Sequence, residues 1–268
     1  MTFCTNPRLF EPLDIGDVTI ANRIIIAPMC QYSAEDGAMT DWHQIHLGQL
    51  AMSGAGALTI EATAVSPEGR ITDGDVGLYD DRAEAAMRKV IESVRRWSDM
   101  PLILQLAHAG RKASCAKPWH GGAQIAPDAE NGWQTLAPSA IPFDAADHLP
   151  TALDTQGINR IVAAFADAAR RAGELGIDAV QIHAAHGYLL HEFLSPLTNF
   201  RTDRYGGATI GERARFAAAL VAAVRAAVGP DFPILLRLSQ WKQQDFTVRL
   251  AATPAEMEAW LTPLVDAG

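Results

Sequence analysis

The chain has 268 residues, 49% of them hydrophobic, and a formal net charge of −9. That is enough apolar material for a large buried core, and an acidic balance without a basic run excludes a nucleic-acid surface. No uncharged apolar stretch of about 18 residues suggests a membrane span. The N-terminus lacks the basic-then-apolar pattern of a signal peptide, and the cysteines Cys4, Cys30 and Cys115 are odd in number and far apart, so a reducing, cytoplasmic setting is expected.

In chain order, residues 24–29 (Ile-Ile-Ile-Ala-Pro-Met) predict a first strand. Residues 41–53 predict a helix with His43, His46 and Gln49 on or near one face. Residues 57–63 predict a second strand. Residues 80–97 place Val90, Ile91, Val94 and Trp97 at helical spacing. Residues 101–106 predict a third strand. From His108 to about Pro150 the chain is rich in Gly, Pro, Ala and Asp and shows no period. Loops that long are commonly lids or binding loops. Residues 155–175 carry Ile158, Ile161, Val162, Phe165, Ala169 and Ala172 on one helical face, and residues 177–184 predict a fourth strand. An alanine-rich helix over 211–228 is stopped by Gly229-Pro230. A fifth strand follows at 233–239. Thr253-Pro-Ala-Glu256 is a capping box with proline at the first helical position.

Strands alternating with helices imply an α/β fold with a parallel sheet. No Gly-x-Gly-x-x-Gly follows the first strand, which argues against a dinucleotide-binding sheet. Five strands fit either an open sheet or part of a barrel.

Polar side chains recur where each predicted strand ends: Cys30 and Tyr32, Glu61 and Thr63, Gln105 and His108, His183, His186 and Tyr188, then Arg237 and Ser239. His183-Ala-Ala-His186-Gly-Tyr188 is the densest group. A lone buried histidine is ordinarily a core residue. A pair followed by a phenol has two chemical readings. One is a metal site, for which Glu61 or His108 would have to supply a third ligand. The other is a carbonyl clamp, with two imidazole N–H donors and a phenol as proton donor. Gln105 and Arg237 on apolar strands each need a polar partner. An internal Arg237–Glu61 salt bridge would be one way to satisfy the arginine. Cys30 alone reads as a small buried hydrophobe.

Several motifs, taken together, resemble the old yellow enzyme family of FMN-dependent ene-reductases, and most of all its bacterial branch with a cysteine after Pro-Met. They are Ala27-Pro-Met-Cys30 with Tyr32, Gln105-Leu-Ala-His-Ala-Gly-Arg-Lys112, Ala137-Pro-Ser-Ala140, His183 to Leu189, His191 to Asn199 and Arg201 to Gly207. The resemblance implies a TIM (β/α)8 barrel with FMN over the strand ends. It implies backbone contacts to the flavin from Pro28, Met29 and Ala62, tuning by Cys30, and polar contacts from Gln105 and Arg237. His183 and His186 would hold the carbonyl oxygen of an α,β-unsaturated substrate, Tyr188 would protonate the substrate's α-carbon, and Tyr32 would line the pocket. The implied reaction uses NAD(P)H to reduce FMN, then passes a hydride from flavin N5 to the alkene.

A barrel of this kind has eight strands, and the sequence supplies about five βα units. Residues 1–268 are therefore expected to form one incomplete, C-terminally truncated FMN-binding barrel domain, with a substrate lid over about 108–153. The phosphate-binding loops after strands seven and eight would fall outside it, so FMN affinity should drop. The open side would be covered by a homo-oligomer or another chain. The remaining alternatives are a metal-dependent α/β hydrolase built on His183 and His186, and a non-catalytic remnant of the flavoprotein fold.

Overall fold

The structure is a computed structural model that describes residues 7–241 and 245–268. Cys4 and the N-terminal residues read above for a targeting signal lie outside the described residues. The elements, in chain order, are β1 (Leu13–Ile15), β2 (Val18–Ile20), β3 (Ile25–Ile26), α1 (Asp41–Ala51), β4 (Ala57–Ala64), α2 (Asp81–Arg95) and β5 (Leu102–Ala107). There follow β6 (Leu136–Ala137), β7 (Thr151–Ala152), α3 (Thr155–Glu174), β8 (Ala179–Ala184), α4 (Leu189–Leu194), α5 (Ile210–Arg213), α6 (Arg215–Val228), β9 (Ile234–Leu238) and α7 (Pro254–Asp266).

The five main strands pair in parallel in the order β3-β4-β5-β8-β9. Each lies beside the next main strand along the chain. That is the order of a barrel; a doubly wound sheet reverses direction at a switch point. One face of the sheet is apolar. Leu58, Ile60, Leu104, Leu106, Val180 and Ile182 pack there against Met87, Val90 and Ile91 of α2 and Ile158, Ile161 and Phe165 of α3. Phe165 is fully buried, and truncating such a side chain to alanine costs about 3–5 kcal/mol.

The opposite face changes character along the strands. Near the strand starts, Ala57, Ile103 and Ala179 pack with Ile20, Ile15 and Val18 of the β1–β2 hairpin. The hairpin therefore plugs the amino end of the sheet. Its two-residue turn opens with Gly16 at φ +57°, a conformation glycine adopts without penalty. Toward the carboxyl end the same face turns polar, beginning with Gln105, whose Nε2 donates to Gln181 Oε1 across the β5–β8 pair at 2.6 Å.

Three elements differ from their predicted form. The first strand pairs only over Ile25–Ile26, because Pro28 has no N–H to give a ladder. The predicted helix 211–228 is two helices with a turn at Ala214. A second capping box, Thr209 with Glu212, starts the first of them. Arg213 turns back to donate to the carbonyls of Leu194, Gly207 and Ala208. The long loop after β5 is pinned rather than free. β6 and β7 pair within it, Trp133 Nε1 donates to the Glu68 carbonyl at 3.0 Å, and Arg201 donates to the carbonyls of Pro138 and Leu153.

Candidate active site

The strand-end residues singled out in the sequence lie in the carboxyl halves of β4, β5, β8 and β9 or in the segments that follow β3, β4, β5, β8 and β9. His183 ends the interior row of β8 and is in register with Arg237 on β9. The chain then turns through His186 and Gly187, at φ +59° and +75°. A histidine in that conformation costs about 1–2 kcal/mol. Partners fix it on both sides: the His186 N–H donates to Ser239 Oγ at 3.0 Å, and Lys112 Nζ donates to the His186 carbonyl at 3.0 Å. Tyr188 then caps the start of α4.

This turn gathers three rings. The His183 centroid lies 5.0 Å from that of His186 and 5.0 Å from that of Tyr188, both edge-to-face. His183 is buried, and its Nδ1 accepts the Ala185 N–H at 3.2 Å. The ring proton therefore sits on Nε2, which is a donor. Burial, reinforced by His186 and Arg237 nearby, drives the His183 pKa down to about 3, so at neutral pH the donor is a neutral imidazole. Burial pushes the Tyr188 phenol well above its usual range, so it keeps its proton. Lys112 Nζ lies 4.9 Å from the Tyr188 ring and 4.8 Å from that of Phe143, tying the long loop to the cluster.

Arg237 is half-buried, and among the described residues nothing takes its guanidinium in a hydrogen bond or ion pair. The internal bridge to Glu61 is not formed. Glu61 instead accepts the Gln31 N–H at 2.9 Å and lies 3.4 Å from His43 Nε2. Gln105 is buried, and among the described residues its amide oxygen accepts no hydrogen bond. Ala62 is buried beside it, and Met29 is 51% exposed at the rim. The Cys30 thiol is pushed up by burial, then by Asp75 and Glu61, so it stays protonated. Tyr32, at φ +52°, meets Trp119 edge-to-face at 5.9 Å. It helps line a cleft of about 350 Å³ with Lys112, Cys115, Gln124, Phe143 and Asp147.

The metal reading gains no third ligand. Glu61 is committed to Gln31 and His43, and the His108 Nδ1 accepts the Gly110 N–H at 3.0 Å. Among the described residues, no three His, Cys, Asp or Glu side chains converge as ligands.

Sequence reading assigned no role to Glu192. Its buried carboxyl group accepts the Arg111 N–H at 2.9 Å. A Cβ at position 110 would come within 2.2 Å of it, so Gly110 leaves room for the contact. The available signal was an acid next to His191 among the apolar residues Leu189, Leu190, Phe193 and Leu194.

Residues 8–262 match the sequence profile of the NADH:flavin oxidoreductase / NADH oxidase family. The chain belongs to this family. It is 42% identical over 243 residues to an NADH:flavin oxidoreductase of Gibberella zeae, covering 89% of this chain and 58% of that protein. It is also 42% identical over 234 residues to an NADPH dehydrogenase of Bacillus velezensis, covering 87% of this chain and 63% of the relative. The chain thus spans less than two thirds of the length of these curated relatives. The crystal structure of Old Yellow Enzyme from Pichia sp. superposes with a TM-score of 0.81 at 28% identity, over 98% of this chain and 69% of that one. The sheet is accordingly a five-unit portion of a TIM-barrel fold. No helix among the described residues is long and apolar enough to cross a membrane.

Proposed function

We propose that this chain holds FMN across the carboxyl ends of its strands and acts as an NAD(P)H-dependent reductase of the C=C bond in α,β-unsaturated carbonyl compounds. The observation that carries the reading is the edge-to-face cluster of His183, His186 and Tyr188 beside an Arg237 that has no partner among the described residues. The donor set fits a flavin. Among the described residues Arg237 has no electron-rich partner and the Gln105 amide oxygen accepts no hydrogen bond, while Pro28 and Met29 follow β3 and Ala62 lies on β4 opposite Gln105. Cys30 stands protonated there as a weak S–H donor. When bound, FMN supplies the hydride chemistry, with NAD(P)H as its source.

The protein's own groups do the rest. His183 presents a neutral Nε2–H, and His186 stands across from it. Both are placed to donate to a carbonyl oxygen that gains charge as the alkene is reduced, and preorganised donors favour that charge. Tyr188 keeps a proton to deliver to the substrate carbon next to the carbonyl. Tyr32, Lys112 and Phe143 line the approach, and the loop over 108–153 sets which alkene fits. Localisation in the cytoplasm belongs to the same reading.

Titrating the purified chain with FMN tests it. A yellow complex that survives gel filtration, weakened by Arg237→Met, supports the assignment. A colourless protein that leaves FMN free overturns it.

A further inference from the structure

β4 carries one residue more than β5 where both approach the site. Ile60 pairs with Leu104 and Thr63 with Leu106, so Glu61 and Ala62 together oppose Gln105. Such a bulge re-aims a side chain. Here it directs the Glu61 carboxylate, 4% exposed, toward the segment that follows β3. One carboxylate oxygen accepts the Gln31 N–H at 2.9 Å. The other lies 3.4 Å from His43 Nε2. His43 is fully buried, and its Nδ1 accepts the Thr40 N–H at 3.0 Å, which leaves the ring proton on the nitrogen facing Glu61.

Gln31 passes this fixation along the segment. Its Nε2 donates to the Met29 carbonyl at 2.8 Å, and its Oε1 accepts the Trp42 indole N–H at 3.1 Å. Ser33 Oγ donates to the Gln31 carbonyl at 2.9 Å. The segment needs such fixing, because Tyr32 sits at φ +52°. A residue there is kept only where its surroundings over-determine it. Among the described residues, the side chain that meets the backbone N–H between Cys30 and Tyr32 is Glu61.

We infer that Glu61 is a positioning residue: the β4 bulge presents its carboxylate as the acceptor that holds the Met29–Tyr32 turn. Where the Cys30 thiol and the Tyr32 phenol stand therefore depends on a side chain of the neighbouring strand. The inference deepens the flavin reading, in which Cys30 and Tyr32 face cofactor and substrate. Its test reads the thiol in flavin-free protein, so the two fail separately.

The measurement is the alkylation rate of each cysteine by iodoacetamide, followed peptide by peptide by mass spectrometry on the full chain. Removing a hydrogen bond to a buried carboxylate should matter about tenfold: Glu61→Ala is expected to speed Cys30 by at least about tenfold and Cys115 by less than about twofold, while Glu61→Gln, which keeps an acceptor, stays within about threefold of wild type. An unchanged Cys30 rate in Glu61→Ala overturns the assignment. So does a parallel rise at Cys30 and Cys115, or a Glu61→Gln variant as reactive as Glu61→Ala. Should Glu61→Ala not fold, amide hydrogen exchange of the wild-type chain decides. A slowly exchanging Gln31 N–H is expected, and exchange as fast as an open loop amide overturns the assignment.

Discussion

The rings of His183 and Tyr188 meet edge-to-face with centroids 5.0 Å apart, one at the end of a strand and the other at the cap of the next helix. The four residues between them contain the left-handed His186-Gly187 turn. That turn brings a neutral N–H donor and a protonated phenol onto one small volume. Tyr188→Phe removes the proton while keeping the ring. Enone reduction is expected to fall by about 10²-fold or more, in the range of a lost general acid. FMN binding should be unchanged. A variant as active as wild type would remove Tyr188 from the mechanism.

Arg237 gives a second test, because the described fold does not use its guanidinium. Arg237→Met should weaken FMN binding by about tenfold or more, the scale of a lost charged hydrogen bond. Its unfolding free energy should stay within about 0.5 kcal/mol of wild type. Flavin fluorescence titration reads the first quantity and urea denaturation the second. A large loss of stability with unaltered flavin affinity would mean that the arginine is structural.

Buried titrating groups predict how stability depends on pH. Burial lowers His183 to about 3, and His108 and His191 to about 4, from 6.5. In acid the unfolded chain binds protons that these folded histidines refuse. Their stabilisation is complete above about 6.5 and is lost as pH falls toward 4. Glu192, raised from 4.5 to about 8, and Asp75, raised from 3.8 to about 7, act in the opposite sense. Their contribution is complete in acid and is lost as pH rises through 7 and 8. Three histidines outweigh two carboxyls below pH 6.5, and above it only the carboxyls titrate, so stability should peak near 6.5. Glu192→Gln should flatten the alkaline side. Urea melts across this range check the shape, and stability that climbs steadily through pH 8 would contradict it.

The edges of the sheet carry a prediction about association. β3 lies at one edge with Ile24 and Ile25 each about two-fifths exposed, and β9 lies at the other with every residue half-buried. Unpaired strand edges with apolar side chains favour self-association or cover by another chain. Light scattering of the purified chain should report an oligomer. A monodisperse monomer at high concentration would contradict this.

Much of this was legible in the sequence for a physical reason. Strands β4, β5 and β8 are buried apolar runs and β9 is a half-buried one, and their ends are marked by abrupt polarity, so Gln105, His183 and Arg237 announced themselves. What stayed hidden depends on partners distant in the chain. The β4 bulge exists only relative to β5, and Glu61 therefore read as a candidate for Arg237 rather than as the partner of Gln31. The hairpin over residues 13–20 is short and half-exposed, with little periodicity to detect. The break at Ala214 follows from where Arg213 finds carbonyls, which composition does not reveal. The pinning of the long loop by Arg201 and Trp133 is equally a matter of tertiary contact.

The most direct test is to supply the purified chain with FMN, NADPH and a simple cyclic enone under nitrogen and to follow the saturated ketone by gas chromatography. Product is expected that requires both FMN and NADPH and that is lost in Tyr188→Phe and in His183→Ala. Absence of product from a chain that has bound FMN, or equal product from Tyr188→Phe, would contradict it.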